Sequence, residues 1–214
     1  MMNRLLLTGT LWGCGLGCAL AGSGATGVPG VLGDWLAARK HAADVRVEFR
    51  TTKSMPALKE PLKADGRIWS YADGRFRWET GAPATQVLVY DGATLQSWDA
   101  AGKQWRKLDP NSRSMGLWMD FLGGRNLTEA GLLKDFEIRE AAETKLLTGV
   151  ILEPKSARVR RDLKQIELRF NAGEQRLVQM LIRQGDGGSQ TMDFSAPGRM
   201  TAEDRTVVPP PAAN

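Results

Sequence analysis

The one histidine of the sequence, His41, is the only side chain whose ordinary pKa would let it shuttle protons near neutral pH. It has no cysteine and no evident carboxylate partner beside it, so neither a metal site nor a Ser-His-Asp triad assembles around it. It reads as an exposed residue at the end of a helix. Glu79 and Asp91 are the carboxylates that could meet for acid–base work, but each lies in an alternating, water-facing pattern. No phosphate or dinucleotide loop is present, since Gly13, Gly15 and Gly17 belong to an apolar leader. The chain is therefore expected not to be an enzyme and to need no cofactor or metal.

The side chains that do stand out are apolar: Trp69, Phe76, Trp78, Trp98, Trp105 and Trp118, with Met115 and Met119. Singly, such residues fill cores. Together they also suit an adaptable apolar pocket, because methionine is flexible and aromatic rings supply area.

At 214 residues, 42% hydrophobic and 25% charged, the chain has the size and composition of one globular domain. Residues 1–21, "MMNRLLLTGTLWGCGLGCALA", combine one positive charge, a glycine-broken apolar run and Ala19-Leu20-Ala21, as a secretory signal peptide does. Both cysteines, Cys14 and Cys18, fall inside it. Cleavage after Ala21 is the first reading, and lipid anchoring through Cys18 after Gly17 stays open beside it. Loss of Arg4 with the leader lowers the net charge from +5 to +4, and only "ARVRRDLK" (157–164) concentrates basic residues. No basic face with interleaved aromatics appears, so nucleic acid is not an expected partner.

Residues 22–30 form a Gly-rich linker, and Leu32, Trp35, Leu36 and Arg39 then recur at helical spacing. In "VRVEFRTT" (45–52) Val45, Val47 and Phe49 alternate with charges, the period-two pattern of a half-buried strand. The pattern returns at 65–71, 75–80, 85–90, 94–99 and 103–108, with Asp-Gly or Ala-Gly turns between. The spacing predicts a helix over Met115 to Leu122, stopped by Gly123-Gly124, and a short one after Thr128. Strands resume at 136–140, 145–154, 163–170, 175–184 and 189–195, and a Pro-rich tail closes the chain over 201–214. Eleven antiparallel strands predict a strongly curved sheet whose inner face needs a cover, and the helices are there to supply it.

The order "VRVEFRTT", "DGRIWSY", "RFRWET" with Pro83, "DGATLQSW", "LLKDFEI", "VILEP", "IELRF" and "LVQMLI" resembles the LolA-type outer-membrane lipoprotein carrier family over residues 30–196. The resemblance implies a mainly β fold with a few helices: a half-open, strongly curved antiparallel β-barrel of about eleven strands covered by a helical lid. It implies a periplasmic carrier, expected as a monomer, for lipoprotein acyl chains or related lipid. It also implies an inner-membrane lipoprotein-release transporter and an outer-membrane acceptor as partners. The lipid-binding domain is placed at residues 31–200. Its expected cavity lining is Val47, Phe49, Trp69, Phe76, Trp78, Val87, Val89, Ile166, Leu168 and Phe170. Its expected lid is Met115, Leu117, Trp118, Met119, Phe121 and Leu122. The chain departs from the family at Ala72-Asp73, where an arginine and a proline are usual, and at Gln96, where a tryptophan is usual. A lipid-sensing interaction module and a lipid-anchored outer-membrane receptor are the alternatives on the same scaffold.

Overall fold

The computed structural model describes residues 28–40, 44–109, 127–174 and 176–205. The expected leader with Cys14 and Cys18, His41, the whole expected lid from Met115 to Leu122 and the last nine residues lie outside the described residues.

The described residues open with helix α1 (Gly30–Lys40) and run through six strands: β1 (Val45–Ser54), β2 (Leu62–Ser70), β3 (Phe76–Thr80), β4 (Gln86–Tyr90), β5 (Leu95–Asp99) and β6 (Gln104–Leu108). Helix α2 (Glu129–Asp135) leads into β7 (Phe136–Glu140), β8 (Leu147–Pro154), β9 (Leu163–Asn171), β10 (Arg176–Gln184) and β11 (Ser189–Phe194). Thr128 caps α2 by accepting a hydrogen bond from the Gly131 amide, 3.1 Å away. A two-residue strand, β12 (Gly198–Arg199), and a single helical turn, α3 (Ala202–Arg205), follow.

These strands form one antiparallel sheet in the order β6-β5-β4-β3-β2-β1-β11-β10-β9-β8-β7, and β12 pairs with β1 beyond the end of β11. Eleven strands were expected, and the short β12 adds a twelfth. Among the described residues no ladder joins β6 to β7, so the sheet stays open.

Because paired residues share a face, the ladders assign every side chain to one of two surfaces. The inner face carries Phe49 and Trp78 on one flank and Val150, Leu152, Ile166, Leu168, Phe170, Met180 and Ile182 on the other. Leu32, Trp35 and Leu36 of α1 bury themselves on that second flank, with Trp35 meeting Phe170 edge-on at 5.7 Å. Arg39 lies over the Trp35 ring at 4.8 Å, and burial lowers its guanidinium to about 10, which leaves it charged at neutral pH.

The outer face is a lattice of charges. Arg50 pairs with Asp65 at 2.8 Å, Arg77 with Glu79 at 2.6 Å, Arg139 with Glu153 at 2.9 Å and Arg169 with Glu167. Ile151, flanked in register by Arg139 and Glu167, is buried on this side, where long polar side chains can cover an apolar neighbour.

The expected tail begins at residue 201, yet Thr201 to Asp204 pack on the sheet. Thr201 Oγ1 accepts from the Asp204 amide at 3.2 Å, and the Asp204 carboxylate accepts from the Thr201 amide at 2.7 Å, a reciprocal cap on α3. Asp204 also accepts from Trp69 Nε1 at 2.8 Å, and its backbone carbonyl accepts from the Tyr71 hydroxyl at 3.2 Å.

Candidate functional site

Three rows of inner-face residues run across β3 to β6. Nearest the β5–β6 turn, Thr80, Gln86, Asp99 and Gln104 stand side by side; Trp78, Leu88, Ser97 and Arg106 form the next row. Phe76, Tyr90, Leu95 and Leu108 form the third. With about 3.3 Å of rise per strand residue, Gln104 and Leu108 are separated by roughly 13 Å along β6. Polarity therefore falls along the strands from the turn inward.

Residues from these rows and from β11 enclose an open cavity of about 400 Å³, lined by Trp78, Gln86, Leu88, Ser97, Asp99, Gln104, Arg106, Leu108, Gln190 and Met192. Strands β6 and β11 are separated by five others in the sheet, so both can border one cavity only because the sheet curls strongly. The size lies in the range of small-ligand sites. α1 packs on the β8–β9 flank, and among the described residues the cavity lining includes none from a helix.

Of the ten residues expected to line a cavity, Trp78 does so with its inward side chain. Val47 shares its face and row. Phe49 is on the same face but buried, stacked on Trp78. Phe76 forms a sealed cluster with Leu95, and Ile166, Leu168 and Phe170 form the core under α1.

Three residues stand on the opposite face of the sheet; Trp69 and Val89 are absent from the cavity lining, whereas Val87 borders it as expected. Trp69 pairs with Arg46 and Arg77 and is held from outside by Asp204. Val89 pairs with Arg77 and Gln96. Val87 borders the cavity along with Trp98, but the ladder aligns it with Glu79 and Trp98 and turns its side chain outward. For Val87 and Val89 the reason is one residue of loop. A four-residue link from Gly81 to Ala84 would align Trp78 with Val87, whereas the observed link runs from Gly81 to Thr85 and aligns Trp78 with Leu88. Gly81, at φ +96°, starts the turn, and Thr85 closes it by donating its amide to the Thr80 carbonyl at 2.7 Å.

Leu88, Leu108 and Met192 were not among the expected lining residues, and neither were the polar groups Gln86, Gln104, Arg106 and Gln190. For Leu88 the signal lay in the parity of the β3–β4 link. For the polar groups, alternation could not tell a wet inner surface from an outer one.

The two departures from the family pattern also have places. The Ala72 amide donates to Asp44 at 2.8 Å, and Asp73 accepts from Arg75 Nε at 2.7 Å, so this segment locks its own hairpin turn. Gln96 lies buried on the outer face, and its Oε1 has no hydrogen-bond partner among the described residues.

Comparison with known proteins supplies the rest. Two outer-membrane lipoprotein carrier proteins, from the Corby and Lens strains of Legionella pneumophila, are each 27% identical over 113 residues, 53% of this chain and 53% of theirs. The chain thus spans about half the length of the curated relatives it matches. Among solved structures, a LolA superfamily protein from Nitrosomonas europaea is similar over 83% of this chain and 97% of its own, at 11% identity and a TM-score of 0.43. LprF from Mycobacterium bovis is similar over 80% and 93%, at 16% identity and a TM-score of 0.42. At such scores these likenesses carry no argument. The family model of the outer membrane lipoprotein carrier protein LolA, by contrast, matches residues 40–206, from ahead of β1 to the end of α3. The chain belongs to the LolA family.

Proposed function

We propose that this protein is a non-enzymatic carrier that shelters the acyl chain of a lipoprotein or related lipid on the inner face of its sheet and moves it across the periplasm towards the outer membrane. The cavity beside Trp78, Leu88, Leu108 and Met192 carries the reading: it is an open space with a partly apolar lining in a family of lipoprotein carriers. Exposing one methylene to water costs about 0.8 kcal/mol, so a sixteen-carbon chain costs on the order of 12 kcal/mol. A shuttle between membranes must hide that surface, and it must also let go. A partly filled sheet with polar groups at its rim binds less tightly than a closed core and is suited to release.

The leader at residues 1–21 fits export, and no helix among the described residues is long and apolar enough to cross a membrane. A release transporter in the inner membrane and an acceptor in the outer membrane are the partners such a carrier requires. The lid role of Met115 to Leu122 is part of the proposal. Protein purified from its native envelope is expected to yield bound lipid or lipoprotein by mass spectrometry and, once stripped of it, to take up a fluorescent fatty acid. Recovery without lipid, together with no uptake of the fluorescent probe, would overturn the reading.

A further inference from the structure

We infer that the cavity takes its amphiphile in one direction and with one sign of charge: acyl end towards Leu108, anionic head group at the β5–β6 turn, where Arg106 meets it. The inference rests on the acyl-carrier reading and adds the head-group chemistry and the orientation.

The gradient across the rows sets the direction. Leu95 and Leu108 stand at the inner end, and Gln86 and Gln104 at the turn end. An acyl chain laid against this surface buries its apolar length only with its head at the turn, since the reverse pose would strand the head group against Leu108, the apolar inner end of the cavity lining.

The sign comes from Arg106. Its side chain leans towards the turn, with Nη2 4.0 Å from where a Cβ on Gly102 would stand, so the guanidinium lies at the rim. Among the described residues it has neither a hydrogen bond nor an ion pair, unlike Arg50, Arg77, Arg139 and Arg169 on the outer face. Lys53, aligned with Gln190, puts a second positive charge on the same inner surface. Asp99 is the opposing charge at the rim, and it is already engaged by the Ala101 amide at 2.9 Å. A planar guanidinium with free donors matches a carboxylate or a phosphate in a way that a neutral ester or amide does not exploit.

Hexadecyl phosphate, palmitate and hexadecanol, each titrated into the full-length protein, test this. Both anions are expected to bind about tenfold more tightly than the alcohol, and the preference should shrink as salt is raised. The tighter of the two anions identifies phosphate or carboxylate as the head group. Arg106→Gln should bring both anions down to the level of hexadecanol while leaving hexadecanol unchanged, and Arg106→Lys should restore part of the difference. Equal affinity for all three ligands in the unaltered protein, or an equal loss for all three in Arg106→Gln, overturns the inference while leaving the carrier reading intact. Failure to bind any of them, hexadecanol included, instead overturns the carrier reading on which the inference rests.

Discussion

Phe49 and Trp78 stack with their ring centroids 4.4 Å apart, although strand β2 lies between their strands. They meet because Gly66, the ladder partner of Phe49, has no side chain to keep the rings apart. A Cβ at this position would stand 2.2 Å from Phe49 Cζ and 2.4 Å from the Glu79 carbonyl oxygen. Neither the ring, held by Trp78, nor the backbone of β3 can yield cheaply. Gly66→Ala is expected to lower stability by about 1–3 kcal/mol, the cost of overpacking, read as a lower urea midpoint with an unchanged slope.

Phe76 and Leu88 separate packing from binding on the same inner face. Phe76 is 1% exposed and closes on Leu95, so Phe76→Ala should cost about 3–5 kcal/mol of stability. Leu88 is partly open to the cavity. Leu88→Asp places a charge where the acyl chain would lie, and should weaken fatty-acid uptake about tenfold or more for a stability loss of about 1–2 kcal/mol. Thermal melts and fluorescent-probe titrations on both variants check the division. Uptake by Leu88→Asp equal to that of the unaltered protein would remove the cavity from the proposed function.

These two residues also show how much of the molecule was legible in its sequence. Strand existence followed from alternation: Val45, Val47 and Phe49 face one way and Arg46, Glu48 and Arg50 the other, and β1 obeys. The helical spacing of Leu32, Trp35 and Leu36 likewise gave α1 and its buried side. Alternation is silent, however, where three apolar residues run together, as in Val87-Leu88-Val89. There the choice of face falls to the loop, and a single residue of loop length reverses it. Trp69 was harder still, because its outward partner Asp204 lies 135 positions away. The polar rim was hidden for another reason: a surface that faces water inside a half-barrel has the same composition as one that faces water outside.

Gln96 sits where the family usually has a large aromatic, and its buried Oε1 has no partner among the described residues. An unpaired buried acceptor costs about 1–3 kcal/mol. Gln96→Met, similar in volume and without that acceptor, is expected to raise stability by about 1 kcal/mol, measured by chemical denaturation. A lower midpoint in the variant would mean that the amide is satisfied in solution.

Asp204 ties α3 to the outer face, and its charge gives the tie a pH dependence. The hydrogen bond from Trp69, then the Thr201 amide and hydroxyl and the positive charge of Arg46, hold its carboxyl well below the usual carboxylate range. A carboxylate depressed by folding contributes its full stability above its unfolded value, about 3.9, and loses it as pH falls towards the folded one. Between those limits the unfolded chain takes up a proton that the folded chain refuses, so stability declines with acid. Asp204→Asn keeps an acceptor for Trp69 but removes the charge, and should flatten this part of the decline below about pH 4. Trp69→Phe removes the first of these hydrogen bonds and should move the folded carboxyl back towards its ordinary value, narrowing the window over which stability is lost. Denaturation midpoints of the three proteins from pH 7 down to pH 2.5 test both. If Asp204→Asn tracks the unaltered protein throughout, α3 is held by its packing and not by its carboxylate.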